Sequence, residues 1–121
     1  MILGLRTVIY PVADIARGKA WYGEVVGHGP YFDEPFYVGF SVGGFELGLI
    51  PDGIPGTAGP LAYWGVSDIV AEVDRLTKLG GVVLEPVKDV GGGIKVASFE
   101  DPFGNRFGVI ENPHFNPKET R

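Results

Sequence analysis

The sequence predicts an α+β fold of two tandem modules, each running strand, helix and then further strands. The first observation behind it is a repeat. "VADI" at 12–15 recurs as "VSDI" at 66–69, and at the same offset of 54 Ile9-Tyr10 lies over Tyr63-Trp64. Self-similarity of this kind marks one supersecondary unit used twice. The second is the pattern downstream of each copy: a helix-like segment closing in glycine, at Gly27 and at Gly80-Gly81, and then two or three short extended stretches. The third is punctuation. The chain has 20 glycines and 10 prolines, gathered in "PDGIPGTAGP" (51–60), "VGGG" (90–93) and "DPFGN" (101–105), cuts that a helical bundle would not carry. Module one spans about 3–52, the linker 51–60, module two about 60–112 and a tail 113–121. With 121 residues, the chain has the length of one domain with a real core.

The opening "MILGLRTVIYPVADI" is apolar, but Arg6 and Pro11 interrupt it and no small-residue cleavage site comes after it, so it reads as a first strand and not a signal peptide. Asp14 then caps the first helix, with Ile15, Ala20, Trp21 and Val25 as its expected core contacts. "FYVGFSV" (36–42) alternates Phe36, Val38, Phe40 and Val42 against Tyr37, Gly39 and Ser41. "FELGLI" (45–50) sets Phe45, Leu47 and Leu49 against Glu46, Gly48 and Ile50. The bulky faces belong under helices, since each large side chain left wet costs about 1.5–3 kcal/mol. Asp68, or Ser67, caps the second helix, whose Ile69, Val73, Leu76 and Leu79 share one face before Gly80 closes it. "RFGVIE" after the DPFGN turn is the final strand. Most of the aromatics at 31–45 and 63–64 (Tyr31, Phe32, Phe36, Tyr37, Phe40, Phe45, Tyr63, Trp64) are expected in the core.

Composition removes several function classes. The chain is 45% hydrophobic and 21% charged, as a soluble globular protein is. Fifteen acids against ten bases give a net charge of −5, which argues against nucleic acid or an anionic membrane as partner. There is no cysteine, hence no disulfide, thiolate nucleophile or cysteine metal site. No apolar run reaches the length of a membrane span, and the expected location is cytoplasmic.

Two tandem βαβββ modules, with V-x-D-I before each helix and DPxGN before the last strand, resemble the vicinal oxygen chelate superfamily. It includes glyoxalase I, extradiol dioxygenases, methylmalonyl-CoA epimerase, fosfomycin-resistance enzymes and bleomycin-resistance binding proteins. The resemblance covers roughly residues 3 to 112. It implies that each module curls its mixed sheet and that the pair encloses a cavity. Metal-dependent members hold Mg, Mn, Fe, Ni or Zn with ligands from the first and last strand of each module. The first-strand positions, seven residues before the helix-capping Asp, are Thr7 and Leu61. The last-strand position of module two is Gly108; that of module one is Glu46 or Gly48. A divalent site needs about three side-chain ligands, and this set offers Glu46 and one weak hydroxyl. No metal and no cofactor are therefore expected.

On the same face rule, Thr7, Ile9, Leu61, Tyr63 and Tyr37 line the cavity, while Val8, Tyr10, Ala62 and Trp64 pack under the helices. Arg106, on the face of Gly108, is placed either to meet a carboxylate or phosphate of a ligand or to face solvent. Glu46 is either a rim carboxylate or a cavity group whose burial raises its pKa, fit to act as a base or to take a cationic ligand. His28 in "GHGP" and His114 in "ENPHF" read as loop histidines, with His114 the better placed to fold over the cavity mouth. "GGGIK" lacks the spacing of a phosphate loop. Glu100 and Asp101 point to opposite sides, and Ser41, Ser67 and Ser98 have no histidine beside them in sequence.

The function expected from this set is metal-independent binding of a small, partly apolar organic molecule, as in bleomycin-resistance proteins, by a homodimer. Two alternatives stand beside it: a metal-dependent lyase, isomerase or dioxygenase of the same superfamily, and a non-catalytic structural or regulatory subunit. The chain is thus read as leaning away from an enzyme.

Overall fold

The computed structural model describes Met1 and residues 5–119. The expected start of module one at residue 3 and the last two residues of the tail lie outside the described residues. In chain order the elements are β1 (Thr7–Pro11), α1 (Ile15–Val26), β2 (Phe32–Glu34), β3 (Tyr37–Val42), β4 (Phe45–Ile50), β5 (Tyr63–Gly65), α2 (Ile69–Lys78), β6 (Val82–Gly91), β7 (Ile94–Glu100) and β8 (Arg106–Glu111), with a final 3₁₀ turn at Pro117–Glu119. Contacts divide the chain into a unit at Met1–Pro55 and another at Gly56–Arg121. Each holds one helix and one four-stranded mixed sheet, ordered β1-β4-β3-β2 and β5-β8-β7-β6. This is the α+β, twice-repeated βαβββ architecture that the sequence predicts.

The local signals act where they were read. Asp14 Oδ1 accepts from Arg17 N at 3.1 Å and Asp68 Oδ1 from Ala71 N at 3.2 Å, satisfying donors that a first turn leaves free. Gly27 stops α1 at φ 85°, a left-handed conformation that costs glycine nothing. In α2, Ile69 and Leu76 are buried, with Val73 and Leu79 half-buried on the same face.

The buried stripe of α1 is displaced from the one expected. Gly18 and Tyr22 are its buried residues, Ile15, Trp21 and Val25 are half-buried, and Ala20 is exposed. Residues 15, 18, 22 and 25 form an i, i+3, i+7, i+10 row, from which residue 20 falls away. Gly18 belongs to that row because Val12 presses against it: a Cβ there would meet Val12 Cγ2 at 2.8 Å. Tyr22 stacks on Tyr10 with ring centroids 5.5 Å apart.

In the first unit α1 covers the sheet face built from Tyr10, Val38, Phe40, Leu47 and Leu49, all buried. The register holds these rows together: Val8 and Phe40 oppose Leu47, and Tyr10 and Val38 oppose Leu49. In the second unit Ala97, Phe99, Phe107 and Val109 form the equivalent buried face, with Trp64 stacked on Phe107 at 6.4 Å. Among the described residues, no helix is long and apolar enough to cross a membrane.

The aromatics depart from expectation. Phe40 is in the core, but Tyr31 and Phe36 are each 65% exposed, Phe32 39% and Tyr63 43%. Tyr37 and Phe45 are half-buried. Alternation explains the split: Tyr37 lies on the side of β3 opposite Val38 and Phe40, and Phe36 precedes the strand.

Candidate functional site

The sheet face away from α1 in the first unit is set by two cross-strand rows. Thr7, Glu46 and Ser41 form one; Ile9, Gly48, Gly39 and Phe32 form the next. Two glycines side by side leave a trough in the second row. Mid-strand glycine marks close approach of another group, and here the groups are tyrosines. A Cβ on Gly48 would lie 2.8 Å from Tyr37 Cζ, and one on Gly39 would lie 2.8 Å from Glu46 Oε2 and 3.3 Å from the rings of Tyr31 and Tyr37.

Both phenols cross this trough to one carboxylate. Tyr37 donates to Glu46 Oε1 at 2.6 Å, Thr7 donates to the same oxygen at 3.1 Å, and Tyr31 donates to Oε2. Thr7, Tyr37 and Glu46 were singled out in the sequence; Tyr31 was missed. Its backbone is tied to the sheet by Tyr31 N donating to Gly39 O at 3.0 Å. The signal available for it was the pair Gly39 and Gly48, each on the less bulky side of its strand. Phe32 and Phe36 extend the face, with ring centroids 6.1 Å apart, and Phe32 meets Tyr37 edge-on at 6.0 Å.

These hydrogen bonds reverse the electrostatics expected of Glu46. The Tyr31 and Tyr37 phenols, then Thr7, hold its carboxyl below the ordinary 4.5, outweighing the opposing effect of burial. The expectation that burial would raise it is corrected: three donors favour the anion more than partial desolvation disfavours it. The phenols are shifted the other way. Glu46 as hydrogen-bond partner raises Tyr31, while for Tyr37 burial contributes most and Glu46 next. At neutral pH the cluster is one carboxylate and three intact hydroxyls.

A depressed folded pKa contributes stability above the unfolded value, and that contribution is lost as pH falls through the folded one. The melting temperature of the wild type should therefore exceed that of Glu46→Gln at pH 7. The gap should narrow as pH is lowered beneath 4.5. A gap that stays constant from pH 7 to 3 would contradict this assignment.

The second unit repeats the geometry with different chemistry. Tyr63 pairs with Gly108 as Ile9 pairs with Gly48. Gly48 is thus the counterpart of Gly108, which resolves the two readings of the first module, and Arg106, two residues before Gly108, stands where Glu46 stands. Gly108 is closed in: a Cβ would be 2.7 Å from Ala62 O and 2.8 Å from Tyr63 Cδ1. Leu61 is half-buried just ahead of β5. Arg106 meets a carboxylate, but it is the chain's own: its Nη2 pairs with Glu85 Oε1, which also accepts from Ser98 Oγ at 2.8 Å. Glu85 was not anticipated.

The remaining candidates serve loops. His28 Nε2 bonds Ser41 O at 2.7 Å, and His114 Nε2 bonds Gly92 O at 2.7 Å, anchoring the tail to the tip of the β6–β7 hairpin. Asp101 Oδ1 accepts from Phe103 N at 2.9 Å and Asn105 N at 2.8 Å, and Oδ2 accepts from Asn105 Nδ2 at 3.2 Å, as its turn role requires. Among the described residues, no three His, Cys, Asp or Glu side chains converge in a way that could hold a metal ion. The superfamily's last-strand ligand does not fit either module, because both positions are glycines overlaid by tyrosine rings.

Comparison with known proteins places this geometry. The structure is similar to that of a glyoxalase-related enzyme from Fulvimarina pelagi (TM-score 0.75, 19% identity, covering 93% of this chain and 90% of the other). It is also similar to the fosfomycin resistance protein FosX from Mesorhizobium loti (TM-score 0.74, 16% identity, 94% and 96% covered). A superfamily member from Sphaerobacter thermophilus aligns at TM-score 0.72 with 21% identity, 93% and 99% covered. At these identities the likeness shows the fold alone. No curated protein matches the sequence. The family profile of the Glyoxalase/Bleomycin resistance protein/Dioxygenase superfamily matches residues 4–109, and the chain belongs to that superfamily.

Proposed function

We propose that this protein is a metal-independent binding protein that takes a small, partly apolar organic molecule on the Glu46 face of its first unit. One observation carries the reading: the donors a metal would need are replaced by tyrosine. Gly48 and Gly108 supply no side chain, and Tyr37 and Tyr63 fill the space over them. Glu46 remains, and three of its roughly four lone-pair sites already accept hydroxyl hydrogens. What the face offers is Ile9, Tyr31, Phe32, Phe36 and Tyr37 around a few fixed polar atoms, the composition of a small-molecule site.

The lowered pKa of Glu46 also favours binding over catalysis. A general base works best with a pKa near the working pH, and this carboxylate has been moved the other way.

Elemental analysis of purified protein, with a thermal-shift series in Mn, Fe, Ni and Zn, tests the metal part. The expected result is sub-stoichiometric metal and shifts within about 1 °C. Stoichiometric metal, or a shift of several degrees, would turn the reading towards a metal-dependent enzyme. Ligand binding itself stabilises by RT ln(1 + [L]/Kd), so a small-molecule panel should yield hits whose shift falls in Tyr37→Phe.

A further inference from the structure

Resting on that reading, we infer that the Glu46 face selects organic cations: an ammonium group joined to an aromatic or apolar body. A count of hydrogens leads there. A tyrosine or threonine hydroxyl has one hydrogen to give. Those of Tyr31, Tyr37 and Thr7 are all given to Glu46. Every polar valence the cluster still presents is therefore a lone pair, on three hydroxyl oxygens and on Glu46 Oε2. Such a surface accepts N–H donors and has nothing to offer a carboxylate or phosphate.

The charge of the cluster is also left over. Among the described residues no lysine, arginine or histidine forms an ion pair with Glu46; Lys19, a cation of the same unit, pairs with Asp33. Hydroxyl donors spread the negative charge without cancelling it, so a ligand cation would be its first counter-charge. Against it lie the rings of exposed Tyr31 and half-buried Tyr37, and the face continues through exposed Phe32, edge-on to Tyr37, to exposed Phe36. Aromatic faces attract cations, most of all where water is partly excluded. The counterpart position in the second unit shows the contrast: Arg106 there is already matched by Glu85.

The test uses three probes of one shape: 3-phenylpropylamine, 3-phenylpropan-1-ol and 3-phenylpropanoate, titrated calorimetrically into wild type, Glu46→Gln, Tyr37→Phe and Asp52→Asn. Asp52 is an exposed acid of the same unit, so its variant removes equal charge away from the cluster. A charge-assisted hydrogen bond is worth about 1.5–3 kcal/mol, so the amine should bind about tenfold or more tighter than the alcohol, with the propanoate weakest. Glu46→Gln should bring the amine to the level of the alcohol, and Asp52→Asn should leave it within about twofold. Circular dichroism and melting of Glu46→Gln confirm that the fold persists.

Equal or tighter binding of the propanoate overturns the inference, as does an amine preference that survives Glu46→Gln or falls equally in Asp52→Asn. Binding of the alcohol that weakens in Tyr37→Phe, with no preference for the amine, sinks the charge selectivity and leaves the binding face standing. Failure of all three probes to bind overturns both.

Discussion

Asp101→Ala is expected to lower stability by about 2–6 kcal/mol, because it strips an acceptor from two donors on buried Asn105 and one on Phe103. Asp101 is 3% exposed and Asn105 4%, so water cannot replace the lost partner without opening the turn. The turn is also held by Asp101 N donating to Asn105 O at 2.8 Å, which fixes where β8 begins. A chain of this size loses about 3–6 °C per kcal/mol, and a melting temperature at least about 6 °C lower is the expected reading. Asp101→Asn separates geometry from charge: its Oδ1 keeps both backbone donors, and Asn105 can rotate its amide to meet the new one. That variant should recover most of the loss. If the alanine variant melts within about 2 °C of wild type, the carboxylate does not hold the turn.

Features were legible in the sequence in proportion to how little chain each one needs. Asp101 was readable because its turn partners Phe103 and Asn105 lie within four residues, and so were the caps at Asp14 and Asp68 and the stop at Gly27. The side of β1 that Thr7 takes was readable too, since the face rule needs strand alternation alone, but its meeting with Glu46 rests on the pairing of β1 with β4. Tyr31 was not. Its bond to Glu46 depends on β2, β3 and β4 lying in one register, with Gly39 and Gly48 adjacent across it, and that is a fact about pairing between strands. The same holds for Glu85. Irregularities in β6 between Val83 and Glu85 and between Glu85 and Lys88 break the alternation that would have told its face. The aromatics misled for a related reason: bulk alone says a ring wants cover, and it does not say whether the ring lies on the face that a helix covers.

The sign of the Glu46 shift carries the same lesson into chemistry. Burial is visible in a sequence as surrounding apolar residues, whereas hydrogen bonds arrive from residues 39, 15 and 9 positions away. Where three donors converge, they decide. The superfamily's scaffold is kept, and tyrosine rings lie over Gly48 and Gly108.

Restoring the missing ligand should therefore fail, and Gly108 is where the failure is largest. Gly108→Ala sets a Cβ 2.7 Å from Ala62 O. A backbone carbonyl at the entry to a parallel strand cannot swing aside as a side chain can, so β5 must shift against β8. Overpacking of this kind costs about 1–3 kcal/mol. Gly108→Glu adds a carboxylate at a buried position whose nearest basic neighbour along the face, Arg106, is already paired with Glu85. Desolvating an ion without a full partner costs several kcal/mol more. The expected order of melting temperatures is wild type, then Gly108→Ala lower by about 3–10 °C, then Gly108→Glu lower still, with no gain of Ni or Mn binding in the last. Gly48→Ala is the informative control. Its Cβ meets the end of a half-buried tyrosine, which can rotate, so it should cost less stability while breaking the Tyr37–Glu46 hydrogen bond and raising the Glu46 carboxyl towards its ordinary range. A Gly108→Glu protein as stable as wild type that binds a divalent ion would mean the glycine is a vacancy in a metal site, not room made for Tyr63.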